Sequence, residues 1–349
     1  MPQVAIITRT HNRALLLQRA LKTVGAQTFS DYAHVIVNDA GEREPVEALV
    51  AGLPETGRNR TEVIHNEVSA GREAAVNPGF DRARALGAKY AVVLDDDDSW
   101  EPEFLARTVA HLEEHGEDVA VATRTTVVYE EISADGGSVT ERDRGPLAPE
   151  KNTVALEDIL KVNWVPPVSL LFRVASLETL TGWREDLPVL ADWDFFLRML
   201  LIGPIGFIDT PLANWHHRQQ QSGDLGNSVV VEAENHRDFH AVLRDEALRG
   251  GTKGGAESGL APLAPALLMA HYAKELVEKN RELTNELKEL HEAQSKRDEE
   301  IKDYLATLIE RSRADNSKQL GEVGDSILDL HRRLDAMGFR ARLRRLFHR

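Results

Sequence analysis

The stretch KYAVVLDDDDSWEPEF, residues 89–104, joins an apolar run to four consecutive carboxylates. The run YAVVL (90–94) is short, apolar throughout and rich in valine, the pattern of a strand buried on both faces. Asp95, Asp96, Asp97 and Asp98 follow it directly. Like charges this close repel, and each carboxylate needs water or a counter-charge. A solvated acidic turn would satisfy them, and so would a bound cation. The position in the fold decides between the two.

Working outward, the preceding residues alternate between two periods. VAIIT (4–8), AHVIVN (33–38) and TEVIH (61–65) read as strands, while RALLLQRALKTVGAQ (13–27) and PVEALVAGL (45–53) have helical spacing. AGREAAVNPGFDRARALG (70–87) is helical with Pro78 as a kink or break, and PEFLARTVAHLEEHG is a further helix with Pro102 in its first turn and Gly116 at its end. Strand–helix alternation of this kind predicts an α/β fold with a mostly parallel, Rossmann-like sheet and flanking helices. In such a sheet ligands bind outside the carboxyl ends of the strands. Asp39 and the loop TRTHNR also lie at strand ends, so three loops meet at one edge and two bring carboxylates. Hard oxygen ligands in that position suit Mg²⁺ or Mn²⁺. The loop after the first strand contains no glycine, which excludes both a dinucleotide fingerprint and a phosphate-cradling P-loop there.

From 119 to 215 the pattern is mixed. VAVATRTTVVYEEI reads as a long strand, DGGS (135–138) as a hairpin turn, VSLLFR and IGFIDT as short strands, and DWDFFLRMLL as a helix between them. Residues 229–249 read as a helix and GGTKGGAESG (250–259) as a flexible linker. Beyond it, Leu276, Leu283, Leu287, Leu290, Ile301, Tyr304 and Leu308 fit one heptad register, and Leu320, Val323, Ile327, Leu330, Leu334 and Met337 a second. So narrow a seam cannot form a globular core alone, and predicts a coiled coil that associates with another chain, with a long hairpin packing on its own domain as the alternative. The expected organisation is a catalytic domain at 1–225, a helix and linker at 226–265, and a coiled-coil stalk at 266–349.

The tail GFRARLRRLFHR (338–349) places Phe339, Leu343, Leu346 and Phe347 on one helical face among arginines. That pattern suits either an anionic membrane surface or the basic end of a coiled coil. The formal net charge of −15 argues against a nucleic-acid partner, and the absence of cysteine excludes disulfides and thiolate metal sites. MPQVAIITRTHNR lacks the basic start and long apolar core of a signal peptide, and no stretch approaches the ~18–20 apolar residues of a membrane span. A cytoplasmic protein, at most peripheral on the inner face of a membrane, is expected.

Three blocks together resemble the family-2 glycosyltransferases of the GT-A fold: VAIITRTHNRALLLQRALKTVGAQTF, VIVNDAG, and NEVSAGREAAVNPGFDRARALGAKYAVVLDDDDSWEPEFL with its D-x-D. The likeness covers roughly residues 3 to 225. It implies an inverting transfer of a sugar from a nucleoside-diphosphate donor, commonly a UDP-sugar, to a glycan or lipid-linked acceptor. It implies that Asp39 contacts the nucleobase, that Asp95 lies near ribose and metal, that Asp97 is the principal metal ligand, and that Asp96 between them reaches sugar or ribose. Asp98 is expected to be structural. Thr8, Thr10, Asn12, Arg13, Asn66 and Arg72 complete the expected donor contacts. LADWDFFLRM resembles the segment that supplies the general base, which gives Asp192, with Asp194 as its neighbour in competition. NWHHRQQQSGD resembles the later basic segment, with His216, rather than His217, completing the metal shell and Arg218 facing the diphosphate. Trp164 in NWVPPVS is the expected acceptor platform. Two positions depart from the family pattern: Val76 stands where an arginine is common, and Ala191 where the pattern has a glutamate. A sugar nucleotidyltransferase would also use Mg²⁺ and a Rossmann-like sheet, but wants a glycine-rich basic loop after the first strand. An inactive, oligomeric sugar-binding scaffold is the non-enzymatic alternative.

Overall fold

The computed structural model describes residues 1–133, 138–218, 242–243, 264–314, 327–329 and 332–333. The chain divides into two units, Met1–Ala273 and Lys274–Arg349. The first is built on a nine-stranded mixed sheet. Its N-terminal half follows the alternating pattern: β1 (Val4–Thr10), α1 (Ala14–Gly25), β2 (Tyr32–Asp39), α2 (Arg43–Ala51), α3 (Glu55–Arg58), β3 (Thr61–Asn66), α4 (Asn77–Ala85) and β4 (Tyr90–Val93). β3, β2, β1 and β4 pair in that order, all parallel.

The second half departs from a parallel sheet. β5 (Ser99–Trp100) precedes α5 (Phe104–Glu114), and β6 (Ala120–Ile132) forms a hairpin with β7 (Val139–Pro146). α6 (Leu156–Lys161), β8 (Leu170–Arg173), α7 (Leu177–Leu180), α8 (Ala191–Ile202) and β9 (Ile205–His217) complete the unit. β8 runs antiparallel to both β4 and β6, β9 runs parallel to β6, and β5 pairs antiparallel with β9. Parallel and antiparallel pairings are therefore balanced, so "mostly parallel" holds only for the first four strands. The reason lies in connection length: the β6–β7 link is too short for a crossover and can only return antiparallel.

Alternation along the strands sends side chains to two cores. Ala5, Ile7, Ala91, Val93, Ala120 and Ala122 face Phe80, Trp193 and Phe195 on one side. Val4, Ile6, Tyr90, Val92 and Val121 face Ala20, Val24, Phe104 and Val109 on the other. Each large apolar side chain so buried contributes about 1.5–3 kcal/mol of transfer free energy. α4 sits so close to β1 that a Cβ on Gly79 would lie 2.3 Å from Ile7 Cγ2. Pro78 marks a break in the helical stretch and not a kink. A 3₁₀ turn at Ala74–Val76 comes first and Pro78 lies in the first turn of α4, where its lost N–H costs nothing. Likewise Pro102 precedes α5 rather than lying inside it.

A long helix, α9 (Ala264–Ala314), runs into the second unit. Leu276, Leu283, Leu287 and Leu290 are all exposed on it within one chain. Most of the second heptad register, the helix expected at 229–249 apart from residues 242–243, the linker 250–259, the turn 134–137 and the basic tail lie outside the described residues. Among the described residues no helix is long and apolar enough to cross a membrane.

Candidate active site

The four carboxylates sit where the chain leaves β4 and turns into β5, and the turn is closed by the Asp98 N–H donating to the Asp95 carbonyl at 3.1 Å. β5 holds the turn from the far side. The Trp100 indole donates to the Val168 carbonyl at 2.7 Å and stacks on Phe104, and Thr23 of α1 exchanges two hydrogen bonds with the Trp100 backbone. The acidic turn is therefore clamped by α1, β5 and β9.

Each carboxylate has a different partner. Asp95 pairs with Arg9, Nε to Oδ1 at 2.7 Å. Asp96 accepts from the Thr10 hydroxyl at 2.7 Å and from Arg13 at 2.9 Å. Asp97 accepts from Arg13 at 2.8 Å and also from Arg218. Asp98 accepts from the His216 backbone N–H at 3.0 Å. Beneath them lies Glu130 of β6, bound by Arg19 at 2.8 Å, by Arg218 at 2.8 Å and by His216 Nδ1 at 2.9 Å. Burial makes these contacts strong and also makes the unpaired state expensive. The titration pattern follows. Burial alone would raise Asp97, but Arg13 and Arg218 outweigh it and hold the carboxyl below the ordinary range. Burial pushes Asp96 up to about 6 despite Arg13, and pushes Asp98 well up, with Asp97 and Asp95 adding repulsion. Glu130 is brought down to about 2 by His216 and Arg19 against the effect of burial. Burial lowers His216, which keeps its ring neutral at neutral pH.

Asp39 ends β2 in the neighbouring loop. It accepts from Asn66 at 2.8 Å, from the Ser69 hydroxyl at 2.6 Å and from the Ala70 N–H at 2.9 Å. Against the opposing effect of burial, these bonds lower its pKa. Asn12 adopts a left-handed backbone, φ 53°, and its side-chain oxygen accepts from the Glu42 N–H at 2.8 Å, tying the loop after β1 to the loop after β2.

Asp192 lies in the first turn of α8, two residues after Leu190, whose φ of 67° is a left-handed conformation costly for a non-glycine residue. It accepts from Asn163 at 3.0 Å. Burial pushes its pKa up to about 6, with Asp95 adding to the rise and the Trp193 N–H and Arg9 opposing it. Asp194 instead forms a buried ion pair with Arg198 at 2.7 Å. Of the two acids, Asp194 is neutralised by its own helix, whereas Asp192 is bonded by the neutral Asn163.

Residues 5–153 match the family model "Glycosyl transferase family 2". The chain carries a family-2 glycosyltransferase domain. Among the curated relatives, an uncharacterized glycosyltransferase, YwdF, of Bacillus subtilis is 28% identical over 199 residues, covering 56% of this chain and 67% of the relative. The succinoglycan biosynthesis protein ExoW of Rhizobium meliloti is 32% identical over 155 residues, covering 43% of this chain and 47% of that protein. Among solved structures, S. aureus TarS 1–349 in complex with UDP-GlcNAc matches with a TM-score of 0.52 at 17% identity, over 78% of this chain and 73% of that one. At that identity the likeness is one of fold.

Within the first unit, most of the sequence-predicted residues come together, but several do so in other roles. Thr8 is fully buried in β1 with its hydroxyl 2.9 Å from the His34 ring, so it has no face to offer a nucleotide. Asp96 is 1% exposed and held at both oxygens by Thr10 and Arg13, which makes it a strut of the turn rather than a sugar contact. Thr10, the buried donor to Asp96, belongs to the same strut. Arg72 is exposed, and its carbonyl accepts from Arg9. Trp164 is buried against Phe207, ring centroids 5.6 Å apart, so it supports the site from the core and does not present a platform to an acceptor.

The carboxylates fit a hard cation in chemistry. Asp97 Oδ1 has no hydrogen-bond partner among the described residues, and Asp95 lies half-buried at the rim. His216 does not fit, because its Nε2 faces the Ser99 hydroxyl at 2.9 Å and its Nδ1 faces Glu130. Nor do Asp95, Asp97 and His216 converge: among the described residues, three ligand atoms of His or carboxylate lie within 4.8 Å of one another only at His111, His115 and Asp118.

Arg9, Arg19, Glu73 and Glu130 were not singled out by sequence. Arg9 links Asp95 to Glu73 and lies over the Trp183 ring, 4.8 Å from its centroid. Burial, with Asp192 and Asp95, drives Glu73 up to about 8 against the pull of Arg9. Glu130 had a usable signal: in an alternating strand it shares a face with Val128 and Ile132, and a carboxylate on a buried face demands cations.

Proposed function

We propose that this domain transfers a sugar, with inversion, from a nucleoside-diphosphate sugar to a glycan or lipid-linked hydroxyl in the making of a surface polysaccharide or glycoconjugate. A uridine diphosphate sugar is the expected donor. The observation that carries this reading is one rim holding Asp39, the Asp95–Asp97 turn and Asp192, with Arg9 reaching Asp95 and close enough to Asp192 to lower its pKa.

A sugar hydroxyl is a poor nucleophile near neutral pH, and a positioned carboxylate that takes its proton is typically worth ~10²–10⁴-fold. Asp192 has a carboxyl whose pKa near 6 keeps it ionised yet basic at pH 7. Asn163 orients it. Asp39 and Asn66 form the polar floor for the nucleoside. Arg13 and Arg218 supply positive charge beside the position of the leaving diphosphate. Asp95 and Asp97 would hold Mn²⁺ or Mg²⁺, which when bound neutralises charge on that leaving group. The exposed row Leu276, Leu283, Leu287 and Leu290 supports self-association through α9, since apolar side chains at this spacing are buried by a partner helix.

The test is nucleoside diphosphate release by the purified protein from a panel of nucleotide sugars with Mn²⁺. A carboxylate base with a pKa raised to about 6 is active when deprotonated. kcat/KM should therefore be flat above that pH and fall about tenfold per pH unit below it. A profile flat down to pH 4.5 excludes Asp192 as the base, and no turnover of any donor excludes the activity.

A further inference from the structure

We infer that His111, His115 and Asp118 form a second metal site, for a borderline transition ion of the Zn²⁺ class, at the edge of the sheet opposite the acidic turn. The two edges are fixed by β4. Asp95–Asp98 follow its last residue, Val93, whereas Arg173, which pairs with its first residue, Tyr90, donates to the Asp118 carbonyl at 2.7 Å.

His111 and His115 are one helical turn apart, the spacing that puts two imidazoles on one face to grip a metal. Their rings stack with centroids 4.1 Å apart and planes within 16°. Asp118 Oδ2 lies 2.8 Å from His111 Nε2, and a ligand atom from each of the three residues falls within 4.8 Å of the others. Ligands 2.0–2.1 Å from a tetrahedral ion are roughly 3.3 Å apart. An imidazole offers its lone pair in the ring plane, so one of the two stacked rings must turn about its side-chain torsions for both to meet one ion; the exposed His115, whose Nδ1 lies 2.9 Å from the His111 carbonyl, is the one with room to turn.

A second observation comes from the facing strand. A Cβ on Gly206 of β9 would sit 2.2 Å from His111 Nε2 and 2.4 Å from Asp118 Oδ2. Only a glycine there leaves these ligand atoms their room. The backbone beneath is preset: Arg173 takes the carbonyls of Leu112 at 2.6 Å, His115 at 3.0 Å and Asp118. Arg173 is the positive charge that the ion must tolerate, and its guanidinium is also placed over the Tyr90 ring. The C-terminal end of α5 carries the negative end of the helix dipole, which favours a cation. His115 is exposed, so an ion can enter from solvent and keep a water as its fourth ligand. Two imidazoles and one carboxylate select Zn²⁺, Co²⁺ or Ni²⁺ over Mg²⁺ and Mn²⁺. The bound ion would clip the end of α5 to the turn that leads into β6.

Calorimetric titration of Zn²⁺ into tag-free full-length protein, in excess Mg²⁺, tests this. One ion per chain should bind, and His115→Ala, a change at an exposed position, should weaken binding by more than about 100-fold. His111→Gln should do the same. Asp97→Ala, at the other edge, should leave Zn²⁺ affinity unchanged. Titration of Co²⁺ should give the visible absorption of a tetrahedral centre in the parent protein and not in His115→Ala. Absence of Zn²⁺ binding, equal affinity in His115→Ala, or loss of the site in Asp97→Ala would each overturn the assignment.

Discussion

Asp192→Asn should lower kcat by ~10²–10⁴-fold while donor affinity stays nearly unchanged. The substitution keeps shape, and the amide oxygen can still accept from Asn163, but it removes the one property the role requires, a group basic enough to take a proton. The donor is held elsewhere on the rim, so its binding should not follow the loss. Asp194→Asn is the contrast. It removes half of a buried pair with Arg198, so it should lower stability yet leave turnover of the folded enzyme close to that of the parent. Steady-state kinetics with calorimetric donor binding would separate these outcomes. Near-parental turnover in Asp192→Asn would remove it from the mechanism.

Glu130→Ala should be the most damaging single change to folding. Glu130 is buried and receives Arg19, Arg218 and His216 at once. Taking away one member of a buried charged network strands the rest and costs about 3–5 kcal/mol. For a domain of this size that corresponds to a fall in Tm of roughly 10 °C. Glu131→Ala, one residue on, loses only an exposed pair with Arg142 and should change stability by less than about 0.5 kcal/mol. Thermal unfolding of both variants checks the difference. Equal shifts would mean that the charges beneath the acidic turn are not coupled as the structure shows.

The parallel half of the fold was legible because its strands are short apolar runs separated by helical periods, and both patterns depend only on local spacing. β5 was not, because two residues, Ser99 and Trp100, carry no period; their pairing with β9 is imposed by tertiary contacts. The acidic rim was legible for a similar reason: Asp39 and Asp95–Asp98 follow recognisable strands, so topology alone brings them together. The partners of these acids were harder to see. Arg9, Arg19, Glu130 and Arg218 come from β1, α1, β6 and the residue after β9, and no sequence spacing announces that they meet. His216 shows the limit of a motif. The residue is at the site, yet its backbone secures Asp98 and its ring bridges Ser99 and Glu130. Trp164 shows the same for an aromatic: its type suits a sugar platform, but its position beside Val165 and against Phe207 puts it in the core.

In the proposed function the nucleotide sugar binds at the rim through Asp97 with a divalent ion. Calorimetric titration of a UDP-sugar, with and without Mn²⁺, into the parent protein and Asp97→Ala tests it most directly. The parent should bind more tightly with Mn²⁺, and Asp97→Ala should lose that metal-dependent gain. Affinity that responds to Mn²⁺ equally in both proteins would exclude Asp97 as the ligand that joins the ion to the donor.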